Sequence, residues 1–501
     1  MPSGAPDSTG DRGRAVRWLV LRNTAISALA QVIGMPLSLA LTAVTARYLG
    51  ASALGYMYLA STFNTFAFLA VDWGQAAAIP ALVAGDRSSV GTFLGTALVW
   101  RSLTSVIASV ALATGCFFLG YDSQALVAIG LGSIQYSCSA ISNACQYAIM
   151  GFERTDMAAK RQVLEQAASL MIVLPILFLK GNLNAALIGH TVTGALVLVY
   201  VWRTLGSVGI GRLSFDRTVL VAMLKRGTPF VLLGTAMVLQ PYVDALYLSK
   251  LAPVNTVGWH AAARKLVGLL IFPSAAMIGA LYPTLCRLHV TDSNGLKLAT
   301  TDVLRATTLM VVPVAVGCAL FPDIGIAVYS RKGFAPAEAN LRVLSIFLLL
   351  VYFTMPLGTC VNAIGKARSW AAVQALCVGV SLVFDPILIP WFQRRSGNGG
   401  LGVCWAAVLS ELVVLVFGVI LVPRGVFDRR FWHSVVFSGL SGLVMVAVAR
   451  SLSTLSSFLV APLSLVAYVV ALRLTGAIDA DQVAAIRGFI ANKLSRSAAA
   501  R

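Results

Sequence analysis

The chain is 501 residues long, 58% hydrophobic and only 11% charged, with a mean hydropathy of +0.84, a composition that excludes an ordinary soluble enzyme and a disordered chain alike. A formal net charge of +19 would point to nucleic acid in a soluble protein, but here the apolar residues fall in blocks of about 20 to 28, each able to cross a hydrocarbon core of roughly 30 Å as a helix. The sequence therefore predicts an all-α, polytopic membrane protein with about 14 transmembrane helices, surrounded by membrane lipid and without a nucleic-acid partner.

Residues 1–14 are polar and lack the short apolar stretch and small-residue cleavage site of a removable signal peptide, and residues 1–22 are assigned to the cytoplasm. Six spans follow, near 23–47, 53–84, 91–119, 124–150, 158–179 and 183–202, and make a first six-helix bundle over 23–202. A basic cytoplasmic linker, 203–227, precedes six more spans near 228–249, 258–284, 298–321, 341–364, 369–391 and 400–422, a second bundle over 228–422. Two additional transmembrane helices, near 432–449 and 456–475, occupy 423–475. The cytoplasmic tail 476–501 places Val483, Ile486, Ile490 and Leu494 at the spacing of an amphipathic helix. The largest outer stretch, 323–340, is too small to be a catalytic domain. On this scheme 26 Lys and Arg fall on the inner side and 9 on the outer, which by retention of positive charge places both termini in the cytoplasm.

The two bundles read as copies of one another. Arg47-Tyr48-Leu49 followed by Gly55-Tyr56 corresponds to Lys250-Leu251-Ala252 followed by Gly258-Trp259, at an offset of 203 residues. Gly151-x-x-Arg154 corresponds to Gly365-x-x-Arg368, and Pro175-Ile176-Leu177 to Pro386-Ile387-Leu388, at offsets of 214 and 211. Both members of each pair lie on the same predicted side, as expected of parallel repeats related by an axis along the membrane normal.

Three runs then carry a resemblance. They are Ala46-Arg47-Tyr48-Leu49-Gly50 with Gly55-Tyr56 and Gly74; Pro229 with Asp244, Gly258-Trp259, Ala262 and Pro283; and Asn362-Ala363-Ile364-Gly365-Lys366 with Ile389-Pro390 and Gly399-Gly400-Leu401-Gly402. In order and spacing they resemble lipid-linked oligosaccharide flippases, the O-antigen and exopolysaccharide type of the multidrug/oligosaccharidyl-lipid/polysaccharide exporter superfamily, over about residues 23–422. Asp385 departs from the pattern, which has a neutral amide there, and Trp259 stands in place of a tyrosine. The resemblance implies two lobes around a central cavity that opens alternately to either side. It implies a polyprenyl-pyrophosphate glycan as cargo, carried from the inner to the outer face of the bacterial cytoplasmic (inner) membrane alongside other polysaccharide-assembly proteins. No catalytic residue, metal or cofactor is expected, with H⁺ or Na⁺ as the candidate coupling ion.

Ionisable groups inside spans are the candidate site residues, because each is costly in a bilayer. Asp72 shares a helical face with Asn64 and Gln75, a face that either lines a cavity or closes an interhelical hydrogen-bond cluster. Arg264 and Lys265 lie about 10 Å below the outer interface by helical rise and suit a pyrophosphate; Arg264 is preferred for its planar fork. Arg101 either contacts the same anion or snorkels. Asp244, after Pro241, pairs with those cations or takes up an ion; Glu411 and Asp72 are the other ion-coupling candidates. Glu165 is expected to pair with Arg161, Asp385 to reach solvent, and His260 to be interfacial beside Arg264. Two other functions stay open: cation-coupled export of small or multidrug-type molecules by the same superfamily fold, and, ranked lower, a membrane glycan polymerase or ligase.

Overall fold

A computed structural model describes residues 8–152, 154–179, 181–206, 212–329 and 331–476, so the amphipathic reading of Val483, Ile486, Ile490 and Leu494 lies outside the described residues. Among the described residues every regular element is a helix. In chain order they are α1 Ser8–Asp72, α2 Gln75–Gly85, α3 Val90–Phe118, α4 Ser123–Met150, α5 Thr155–Phe178, α6 Leu183–Gly206, α7 Arg217–Leu251 and α8 Val254–Thr291. Then come α9 Ser293–Leu320, α10 Pro322–Ala327, α11 Arg331–Ala363, α12 Ala367–Ser396, α13 Gly400–Leu421, α14 Arg429–Ser451 and α15 Ser457–Leu474.

Among the described residues twelve helical stretches are long and apolar enough to cross a membrane. The first of them, Leu29–Gly85, has 57 residues, about 85 Å of helix at 1.5 Å per residue and so the length of two crossings. α7, 35 residues long, is outside the twelve. The chain is thus an all-α polytopic membrane protein. Large apolar side chains such as Leu103, Val106, Ile107 and Val110 on α3 are more exposed than buried, a surface that needs lipid around it.

The break between the first two predicted spans is sharper than their spacing suggested. α1 continues through it, bending only at Gly50, whose φ of 83° and ψ of −177° suit a residue without Cβ. A second break falls inside the second predicted span, where Trp73 (φ 42°) and Gly74 (φ 70°) turn left-handed and α2 begins. The stretch 323–340 also differs from the expected outer loop. Pro322 starts the short α10, and α11 begins at Arg331, so helix occupies most of it. Elsewhere the ends follow local chemistry: Asp216 caps α7 through Thr218 N (2.6 Å), and Asp428 caps α14 through Phe431 N (2.8 Å).

The chain folds as two compact units. One comprises residues 1–265, 332–334 and 378–403; the other 266–331, 335–377 and 404–501. The first unit is centred on Leu59 and Phe63 of α1, Ile129 of α4, Leu248 of α7, Val257 of α8 and Ile389 of α12. The second is centred on Leu304 of α9, Leu357 and Val361 of α11, Trp370 of α12 and Phe431 of α14. Trp370 lies so close to Gly358 that a Cβ there would enter its ring.

Candidate functional site

Within the first unit, α1, α4, α6 and the start of α8 enclose a cavity of about 260 Å³. Its wall is part apolar, with Leu54, Met57 and Leu187, and part polar, with Ser61, Gln135, Tyr136, His190 and Lys265. Helical spacing explains the set. Met57, Tyr58 and Ser61 recur at one turn on α1, and Ala261 and Lys265 at one turn on α8. Lys265 Nζ donates to Ser38 Oγ at 2.8 Å, and no carboxylate is among the lining residues. The Tyr136 hydroxyl is taken up by Thr65 Oγ1 (2.8 Å) and Ser61 O (3.1 Å).

Of the two cations expected to serve an anion, Lys265 is the one on this cavity wall. Arg264, one residue earlier and pointing to another face, brings its charge within electrostatic range of Asp244 and His260. His260 is buried, at 3% exposure, with its ring edge-on to Tyr58 at 6.0 Å.

Asp244 adjoins Asp385 and Ser381. Asp385, expected to reach solvent, is 0% exposed and Asp244 4%. The reason is packing: Ile389, one turn further along α12, belongs to the core of the first unit together with Ala245 and Leu248 of α7. Among the described residues, neither oxygen of Asp385 nor Oδ1 of Asp244 has a hydrogen-bond partner. Two adjoining carboxylates away from water repel unless a proton or a cation sits with them.

Asp72, Gln75 and Arg101 also come together, in a network that leaves little for a ligand. The Arg101 guanidinium, 1% exposed, donates to Gln75 Oε1 (2.8 Å), to Ala140 O (2.8 Å) and to Asp72 Oδ1, so that each of its three nitrogens is engaged. Asn64 is held separately. Its amide donates to Ala60 O (2.8 Å) and Ile129 O (3.2 Å), and its oxygen accepts from Ser133 Oγ (2.8 Å), which ties α1 to α4. None of these four side chains is in the wall of the 260 Å³ cavity. Glu411 belongs to the second unit, where it accepts from Thr354 Oγ1. The Arg161–Glu165 pair forms as expected, at 3.5 Å.

Sequence reasoning did not single out His190, Gln135, Tyr136 or Tyr58. A usable signal existed, since a histidine in the middle of an apolar span is a functional candidate by its cost alone. The second unit has a cavity of its own, about 440 Å³, walled by Leu266, Leu270, Pro313, Phe321, Met445 and Leu465 among others, and almost wholly apolar.

No curated protein matches the chain in sequence. In fold it is similar to the lipid II flippase MurJ in an inward closed conformation, at 14% identity and a TM-score of 0.73, over 90% of this chain and 99% of that one. It is also similar to an inward-facing multidrug resistance MATE family transporter of the MOP superfamily, at 16% identity and a TM-score of 0.63, over 79% and 98% of the two chains. A MOP superfamily transporter from Pyrococcus furiosus, whose binding pocket is of reverse polarity, matches at 15% identity and a TM-score of 0.56, over 79% and 94%. At these identities the likeness is one of fold. The sequence itself carries the further assignment: residues 20–289, just over half of the chain, match the polysaccharide biosynthesis protein family, and the chain belongs to that family.

Proposed function

We propose that the chain is a flippase that moves a polyprenyl-pyrophosphate-linked oligosaccharide from the inner to the outer face of the bacterial cytoplasmic membrane by alternating access, for cell-surface or exported polysaccharide. The observation that carries this reading is the cavity of the first unit. Its lining offers hydroxyls, an amide, an imidazole and one ammonium, Lys265, and no carboxylate. That chemistry suits a polar, anionic head group. The apolar cavity of the second unit suits an isoprenoid chain, which requires no polar partner. Asp244 with Asp385 supplies a place for a coupling H⁺ or Na⁺. Other polysaccharide-assembly proteins would receive the glycan at the outer face.

The test is the pool of lipid-linked glycan in a deletion strain, with sidedness read by an impermeant glycan-modifying reagent. Accumulation on the inner face, relieved by the wild-type protein and not by Lys265→Ala, is the expected result. A normal, correctly sided pool overturns it. The second reading, cation-coupled export of small molecules, draws on the same buried Asp244–Asp385 pair, since a carboxylate is what an organic cation would seek. Drug accumulation that rises in the deletion strain while the glycan pool stays normal would favour it.

A further inference from the structure

The buried polar atoms that lack a partner are scattered through the described helices, but one of them belongs to a residue on the wall of the first unit's cavity. It is Nε2 of His190, on α6. A buried ring nitrogen without a hydrogen bond is unfavourable to the fold, and such a group calls for an explanation. Gln135, one helix away on α4, lines the same cavity, and its amide makes no side-chain hydrogen bond among the described residues. Several other polar groups of the wall are already engaged. Tyr136 is occupied by Thr65 and Ser61, Ser61 Oγ donates to Tyr58 O (2.9 Å), and Thr42 Oγ1 donates to Ser38 O (2.8 Å). Besides the remaining N–H groups of Lys265, the wall offers an imidazole nitrogen and an amide with both a donor and an acceptor, set beside the rings of Tyr58 and Tyr136 and the apolar Met57 and Leu187.

A wall that is half hydrogen-bonding edge and half apolar ring matches a pyranose, which presents hydroxyls around its rim and C–H groups on its faces. The volume limits the number of rings. At about 260 Å³ the cavity is below the roughly 300–1,000 Å³ of sites for drug-sized ligands, so it holds one sugar and not a whole oligosaccharide. We propose that this cavity is a subsite for a single pyranose ring of the carried glycan, in which His190 and Gln135 hydrogen-bond the ring's hydroxyl or acetamido groups and so determine which glycan passes. The proposal rests on the glycan reading of the function and deepens it. Lys265 keeps the anion, and specificity for the sugar comes from these two neutral groups.

The experiment uses the full chain in lipid nanodiscs with Ser61→Cys as reporter, since Ser61 is exposed on the cavity wall. Alkylation at that position is followed by peptide mass spectrometry, which separates it from the eight native cysteines. Methyl glucoside, methyl galactoside and methyl N-acetylglucosaminide are the probes. At least one of them is expected to slow labelling in a saturable way, with its apparent affinity about two- to tenfold weaker in His190→Leu and in Gln135→Leu, as for the loss of one hydrogen bond, and recovered in His190→Gln, which keeps a nitrogen near the Nε2 position. Unliganded labelling at the parent rate in each variant shows that the cavity has survived the change. Protection by none of the three probes, or protection equal in parent and leucine variants, overturns the proposal. Failure of the flippase reading looks different: the probes protect, yet the deletion strain shows a normal pool of lipid-linked glycan.

Discussion

Gly55 and Gly258 pack backbone to backbone. A Cβ on Gly55 would collide with the carbonyl oxygen of Val254, and one on Gly258 with the carbonyl oxygen of Ala51. The two contacts are related by one offset, since Ala51 and Val254 are 203 residues apart and so are Gly55 and Gly258. The repeat legible in the sequence is thus a local pseudo-twofold crossing of α1 and α8, of the kind that small residues permit between membrane helices. The neighbouring aromatics extend it. Tyr56 donates to Asp122 Oδ2 at 2.6 Å, and its counterpart Trp259 donates through Nε1 to Gly333 O at 2.9 Å.

On the alternating-access reading, the prediction is that this crossing separates during the cycle, on the side that the charge count assigns to the exterior. Gly55→Val and Gly258→Val are expected to hold it apart. Export of glycan should fall by about tenfold or more, corresponding to roughly 1.4 kcal/mol against the closed state, while an impermeant thiol reagent added from outside labels Ser61→Cys faster than in the parent. Unchanged labelling would show that the crossing is static packing.

The network around Arg101 makes a prediction of the opposite kind. Because Arg101 is buried and Asp72 is its acidic partner, Asp72→Ala strands a charge and should cost about 3 kcal/mol of stability. Removing both charges together, in Asp72→Leu with Arg101→Leu, should cost less than the sum of the single changes. Thermal unfolding of the four proteins closes the cycle. Full stability with lost export in the single variants would move Asp72 and Arg101 from scaffold to transport path.

The turn between α2 and α3 supplies a pH dependence that lies outside the spans. Ser88 Oγ donates to Asp86 Oδ1 at 2.6 Å and Ser88 N at 3.0 Å, and these bonds, the Ser88 side chain first and Ser89 next, hold the carboxyl down at about 2, below its ordinary 3.8. A carboxyl lowered on folding supports the turn in full above the ordinary value, and that support is lost as pH falls through about 2. Ser88→Ala should return the titration of Asp86 toward the ordinary carboxylate range, read by carbon NMR of labelled aspartate. An unmoved titration would mean that the hydroxyl bond does not form in solution.

Composition and charge placement were enough for the membrane class, because twenty apolar residues in a row have few other fates. The correspondence of Gly55 with Gly258 was legible as well, since glycines at a tight crossing leave their spacing in the sequence. Side-chain direction was not. Arg264 and Lys265 are neighbours in sequence, and only their places on the helix decide that one meets Asp244 and the other the cavity. Adjacent helical positions differ by about 100°, so an error of one residue in the assumed face exchanges their roles. Asp385 differs from its expectation for a related reason: a residue near the end of a span can still face a neighbouring helix, and one turn on Ile389 joins the core with Ala245 and Leu248 of α7.

That difference bears on energy coupling. Asp244 and Asp385 adjoin in a buried site with Arg264 in electrostatic range. One fixed positive charge balances one carboxylate, and the second then needs a proton or a metal cation whenever the site is closed. Asp385→Asn keeps the shape and removes that need, restoring the neutral amide that the flippase pattern has at this position. The variant is therefore expected to fold and reach the membrane, and to lose the dependence of glycan export on an imposed proton or sodium gradient, with little change in the rate measured without a gradient. Asp244→Asn should be worse, because it also removes the carboxylate within electrostatic range of Arg264. Transport into inverted vesicles, with the two gradients set independently, identifies the ion: a rate that follows only the sodium gradient assigns Na⁺, one that follows only pH assigns H⁺. Gradient dependence that persists unchanged in Asp385→Asn would place coupling elsewhere, with Glu411 and its Thr354 partner the next pair to alter.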